Sequence, residues 1–199
     1  MNADLRTVGL LPNNNQFGCA IAGLCDKRRR RNIISVPSGK GKSRIIAAAV
    51  VLAARYDGVS NFSIVYSSEL LKSVDCHKYE LLEALLKVSI SQVVFDQAQG
   101  IRHQVDQNSF VLIDEADHVL IDGFQMVANQ NVMGLTATAF NEDFELERLH
   151  LEKQGFKLYN SGLSGFIDPS TAASKATIKQ FFLKSEGYAK LIFAQGSAV

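Results

Sequence analysis

Short runs in which successive residues are apolar recur along the chain, at Asn32–Val36, Phe62–Tyr66, Ser91–Phe95, Phe110–Ile113, Val132–Leu135, Lys157–Tyr159 and Lys190–Phe193. Runs this short, without polar alternation, predict strands covered on both faces. Between them lie stretches of helical spacing, which predict helices over Asn15–Asp26, Lys42–Tyr56, Asp75–Val88, Glu142–Gln154 and Thr171–Ser185. Leu81, Leu82, Leu85 and Leu86 repeat at that spacing and are expected in the core. Strands alternating with helices predict an α/β fold in which a parallel sheet is flanked by helices. In such a fold any ligand sits at the carboxyl ends of the strands.

The pattern is continuous over residues 1–160, expected as one domain. Residues 161–170, rich in Gly, Ser and Pro, read as a linker. Residues 171–199 hold one helix and one strand, read as the start of a second lobe. The whole chain has 199 residues, 47% of them hydrophobic and 21% charged, the balance of an ordinary globular protein. Its net charge of +1 neither supports nor excludes a nucleic-acid partner, for which a local patch would suffice. Three cysteines (Cys19, Cys25, Cys76) without CxxC spacing argue against a disulfide framework or zinc site. The start of the chain has no secretory pattern, and its longest apolar run, Ile45–Ala54, is far short of the roughly 18 residues that span a bilayer. No integral membrane segment is expected, and the cytoplasm or an organelle matrix is the default location.

The first candidate chemistry follows the first apolar run. Asn32–Val36 leads into Pro37-Ser38-Gly39-Lys40-Gly41-Lys42-Ser43 and then into a helical stretch that begins with Arg44, which is grouped with the loop residues as a candidate nucleotide contact. Strand, glycine loop, Lys-Ser and helix is the order that a phosphate loop requires. Gly39 and Gly41 permit backbone conformations that aim N–H groups at an anion, and the helix N-terminus adds positive potential there. Lys42 would reach the β- and γ-phosphates of ATP, and the Ser43 hydroxyl would ligate Mg²⁺. Val36 stands where the general pattern has its first glycine. A glycine-rich surface turn ahead of a helix is the competing reading of these residues.

A second motif bears on that choice. Phe110-Val-Leu-Ile-Asp114-Glu115-Ala-Asp117 is an apolar run ending in carboxylates. A buried strand would deliver Asp114 to the sheet edge to hold Mg²⁺, with Glu115 one residue on to orient or deprotonate the attacking water. Acidic residues after a strand are more often a solvated turn or a helix cap. The joint occurrence of both motifs in the expected order makes coincidence improbable.

Asp114-Glu-Ala-Asp117, as it stands, is the name-giving string of the DEAD-type helicases of superfamily 2, and the chain resembles that superfamily from about Asn15 to Ala139. The resemblance implies a RecA-like P-loop NTPase domain that binds ATP and Mg²⁺. Ile64–Leu71 is similar to the strand-and-turn motif that contacts the substrate strand. Leu135-Thr136-Ala-Thr138 resembles the Ser-Ala-Thr motif, which implies coupling roles for Thr136 and Thr138. Gln16, ahead of the first helix, sits where such motors place an adenine-reading glutamine.

The continuation Asp114-Glu-Ala-Asp-His-Val-Leu-Ile-Asp122 resembles the protein-export ATPase family SecA, whose motif runs D-E-x-D-x-x-L-I-D. Met133–Ala139 is similar to that family's G-M-T-G-T-A segment, and Tyr66–Asp75 to its V-N-D-Y-L-A-x-R-D stretch. Two features depart from the family. Only the short segment 118–135 separates Asp117 from Thr136, where SecA carries a preprotein-binding insertion, and no arginine-finger pattern of a second lobe follows Ala139. The sequence therefore reads as a fragment, a truncated product or one subunit of a split machine.

Three functions are open at this stage. One is the ATPase lobe of a polypeptide translocase, and another is half of a single-stranded nucleic-acid helicase. The third is a non-catalytic nucleotide-binding module. The first two need a second RecA-like lobe or subunit. Lys27–Arg31 reads as a basic cap on the first helix in preference to a nucleic-acid patch, and His118, Asp122 and the adjacent Cys76 and His77 as structural or surface residues.

Overall fold

The computed structural model describes residues 2–25, 31–121, 131–137 and 145–160. Six strands, β1 (Arg31–Ser35), β2 (Asn61–Tyr66), β3 (Ser89–Val94), β4 (Phe110–Asp114), β5 (Val132–Thr136) and β6 (Lys157–Asn160), form one sheet. Its order is β3-β2-β4-β5-β1-β6, and every pair is parallel. The helices are α1 (Asn2–Thr7), α2 (Asn14–Cys25), α3 (Lys42–Tyr56), α4 (Glu69–Leu86), α5 (Ile101–Gln104), α6 (Ala116–Ile121) and α7 (Glu145–Lys153). This is the α/β class of RecA-like and Rossmann-type folds. No helix among the described residues is long and apolar enough to cross a membrane.

The unbroken apolar runs have a direct physical meaning here. Successive strand residues point to opposite faces, so Ile34, Ile64, Leu112 and Met133 join one core with α1 to α4. Their neighbours Ile33, Val65, Val111 and Val132 join a second core with residues of α5, α6 and α7. Burying each such side chain contributes about 1.5–3 kcal/mol, and the polar residues buried on these strands are hydrogen-bonded: Asn32 donates to the Gly23 carbonyl at 2.8 Å, and the Ser63 hydroxyl pairs with that of Ser109 at 2.7 Å. Helix α3 is buried at nine consecutive positions, Ile45 to Ala53, because it lies between the sheet and helices α2 and α4. The edge strand β3 is half-exposed and does not follow the covered pattern.

Several boundaries differ from the sequence expectation. Helix α4 starts at Glu69 instead of Asp75, since the Ser68 hydroxyl accepts the Leu71 N–H and caps the helix at the end of the β2 turn. Only Leu82 of the four leucines there is buried, with Leu86 packed partly against the core. Leu81 and Leu85 face outward, because the buried stripe of α4 runs instead through Asp75, Tyr79 and Leu82. Arg31 opens β1, donates to the Gln154 carbonyl just past the end of α7 at 2.8 Å and lies over the Phe156 ring, so it ties β1 to the α7–β6 turn. The short helices α1, α5 and α6 carry too few turns to show a helical period. Residues 27–30, Asp122, the 161–170 linker and the elements expected over Thr171–Ser185 and Lys190–Phe193 lie outside the described residues.

Candidate functional site

The strand order decides where the two motifs meet. Between β1, which feeds the glycine loop, and β4, which ends in Asp114, lies β5, ending in Thr136. Register places Ser35 beside Thr136 and Asp114 beside Leu135, so the three carboxyl ends finish level. The Thr136 carbonyl accepts the Val36 N–H at 2.7 Å, pinning the start of the loop to β5. Thr136 is fully buried, and Thr138 lies outside the described residues. Gly134, mid-strand in β5, lets α6 approach the sheet: a Cβ there would fall 2.7 Å from the Ala116 Cβ. That close approach seats Glu115, between β4 and α6, over the ends of the strands.

The loop itself has the shape that its glycines permit. Gly39 and Gly41 both take positive φ, 74° and 81°, and Gly41 forms the N-cap of α3. Pro37, Ser38, Gly39 and Lys40 are exposed, Gly41, Lys42 and Ser43 are half-buried, and Arg44 is exposed on the first turn. The Lys40 N–H closes a turn onto the Pro37 carbonyl, and the Arg44 N–H bonds the Gly41 carbonyl. Gln16 braces this loop from α2. Its amide nitrogen donates to the Lys40 carbonyl at 2.7 Å, its amide oxygen accepts the Asn13 N–H at 2.9 Å, and a Cβ on Gly41 would collide with it. Both ends of the side chain thus hold backbone, and adenine recognition would compete with those bonds.

Lys42 and Glu115 meet directly. The Lys42 Nζ lies 2.9 Å from the Glu115 carboxylate, with side chains 11% and 23% exposed, so the pair is largely shielded from water. Glu115 reaches this position with φ 55°, in the left-handed region that costs a non-glycine residue roughly 1–2 kcal/mol. Its N–H donates to the Asp114 carboxylate at 3.1 Å, which helps to hold that conformation.

Asp114 is buried, and its pKa is pushed up to about 6. Desolvation is the main cause and the Glu115 charge the second, while Lys42 and the Glu115 N–H act in the opposite direction. A carboxylate in that state has less positive charge nearby than it needs. Asp117, in the first turn of α6, is half-buried, and His118 is exposed. Away from this edge, Cys76 donates weakly to the Ser73 carbonyl while His77 pairs with Glu80, so those neighbours form no nucleophile–base pair.

No protein-family model matches the chain, and no curated protein matches it. Function must therefore be argued from the geometry of the site.

One residue that touches the loop–helix junction had no motif to announce it. Tyr79, on the buried stripe of α4, donates its hydroxyl to the Ser43 carbonyl at 2.9 Å. Its only signal in the sequence is that Asp75, Tyr79 and Leu82 share a helical face, an arrangement equally natural for a core tyrosine.

Proposed function

We propose that this chain binds Mg·ATP at the carboxyl edge of the sheet and hydrolyses it, as one lobe of a superfamily 2 motor of SecA-like character. The observation that carries this reading is the contact of Lys42, at the start of α3, with Glu115, at the end of β4. Residues far apart in sequence, each in its expected motif, arrive at one point. Lys42 would exchange Glu115 for the β- and γ-phosphates, cradled by the loop Pro37–Ser43 and the N-terminus of α3.

The donor set also fits magnesium. Asp114 and the Ser43 hydroxyl offer hard oxygens, and a dication would relieve the unfavourable charge on the buried Asp114 carboxylate. When bound, Mg²⁺ supplies charge neutralisation to the β- and γ-phosphate oxygens. Glu115, freed from Lys42, would orient the attacking water and take its proton. Thr136, level with both motifs, would relay the state of the site to a second RecA-like lobe or subunit. That partner would also supply the arginine that such a transition state needs.

The primary test is calorimetry of Mg·ATP binding. Wild-type chain is expected to bind, and Lys42→Ala to weaken binding about a hundredfold, the loss of one charge-assisted contact worth about 3 kcal/mol. No binding by folded wild type would remove the nucleotide reading altogether.

The moved polymer on this reading is a polypeptide, after the Asp114–Asp122 resemblance to SecA. The literal Asp-Glu-Ala-Asp string favours single-stranded nucleic acid as the second reading. Turnover in the presence of the partner lobe should rise with unfolded polypeptide. A rise with single-stranded RNA that fades steeply with salt would select nucleic acid instead, because phosphate contacts release counterions.

A further inference from the structure

We infer that Tyr79 is a positioning residue: by holding the Ser43 main-chain carbonyl it orients the Ser43 hydroxyl toward the magnesium of a bound nucleotide. The inference rests on the nucleotide reading above. Ser43 is the second residue of α3, directly after Lys42. A serine there can serve a metal only if its Cα–Cβ bond points back over the loop, and that direction is set by the peptide planes on either side of its Cα. The first turn of a helix is its least constrained part, since its N–H groups have no partners within the helix. Tyr79 supplies a constraint from outside. Its ring is completely buried between α3 and α4, and its hydroxyl reaches the Ser43 carbonyl at 2.9 Å.

The surroundings of Tyr79 make the hydroxyl a fixed donor. Burial raises its pKa well above the ordinary tyrosine value, with Tyr66, Asp75 and Asp114 adding to the effect. It therefore keeps its proton at every physiological pH. Tyr79 is also held in place from its own side. Asp75, one turn earlier on α4, is buried and paired with Lys78 at 2.8 Å. Tyr66, at the end of β2, donates to Gln92, which in turn donates to the Cys76 carbonyl on α4. Helix α4 is thus tied to β2 and β3, so the hydroxyl of Tyr79 acts from a rigid mount. A phenylalanine would fill the same space and lack only this bond.

The experiment compares ADP binding by the full chain with magnesium and in EDTA, for wild type and Tyr79→Phe. In the wild type, magnesium should tighten binding. In Y79F the magnesium-dependent gain should shrink about fivefold, the scale of one lost neutral hydrogen bond, while affinity in EDTA stays within twofold. An unchanged gain overturns the inference. An equal loss with and without magnesium also overturns it, since that marks Tyr79 as merely structural. Wild type that binds no nucleotide overturns the underlying reading itself, which separates the two failures. A readout without substitution guards against a variant that does not fold. The Tyr79 hydroxyl proton of wild type, followed by NMR, should shift on Mg·ADP and stay unmoved by ADP in EDTA. A proton indifferent to both contradicts the proposed role.

Discussion

Glu115→Gln is expected to cut ATP turnover about a thousandfold while tightening Mg·ATP binding several-fold. The loss follows from removing a general base, an effect usually between 10² and 10⁴. The gain follows from the ground state of the free protein. There Lys42 is engaged with the Glu115 carboxylate at 2.9 Å in a largely shielded pair, and phosphate must break that pair to reach the lysine. Glutamine preserves size and hydrogen bonding but not charge, so it holds Lys42 less firmly. It also removes the second-largest cause of the raised Asp114 pKa. Single-turnover hydrolysis and calorimetry, on the same preparation, measure both effects. Turnover within tenfold of wild type would show that Glu115 is not the base. Reduced affinity would show that its pairing with Lys42 does not oppose binding.

Asp114→Asn should abolish the magnesium dependence of nucleotide binding and, at pH 7.5, make the free protein markedly more stable. The sign follows from the direction of the shift. Folded Asp114 holds its proton up to about pH 6, against an ordinary carboxylate value of 3.8, so between those values the folded state binds more protons than the unfolded one. Stability must then fall as pH rises through that window, and the full penalty is present above it. A shift of about two units corresponds to about 3 kcal/mol, or roughly 8 °C in melting temperature for a domain of this size. Asparagine carries no such penalty, so its advantage should be large at pH 7.5 and vanish near pH 4. Melting curves of both proteins at the two pH values decide it. Equal stability at pH 7.5 would mean that the Asp114 charge is already compensated. The stabilisation expected on losing a functional carboxylate is the familiar trade between stability and activity.

Gln16 is bonded at both ends to backbone, at Asn13 and Lys40, so in the free protein it shapes the glycine loop. Arg44 is exposed on the first turn of α3, directed away from the Lys42–Glu115 contact by its position in the helix.

Much of this protein could be read from its sequence because local rules and burial agree there. The runs Asn32–Val36 and Phe110–Ile113 could only be strands covered on both faces, and they became β1 and β4 of an all-parallel sheet. The glycines of Pro37–Ser43 foretold a loop of positive φ, which Gly39 and Gly41 adopt. Leu82 of α4 is in the core as its spacing implied, but Leu81 and Leu85 face outward, because spacing marks a helical stripe but not its bearing. Which side of α4 faces the sheet is set by neighbouring elements, and they chose Tyr79 and Leu82 over Leu81 and Leu85.

Only the tertiary structure could bring Lys42 against Glu115, insert β5 between their strands and set Tyr79 beneath Ser43. No local pattern encodes those contacts. They arise from strand order and from the close approach that Gly134 allows α6. Even the left-handed conformation of Glu115 belongs to this level, since isolated glutamate disfavours it and the Asp114 and Lys42 contacts sustain it. The sequence by itself determined the α/β class and which charged groups stand at the ends of its strands. The packing of the sheet decided how those groups face one another, because contacts distant along the chain depend on the whole fold.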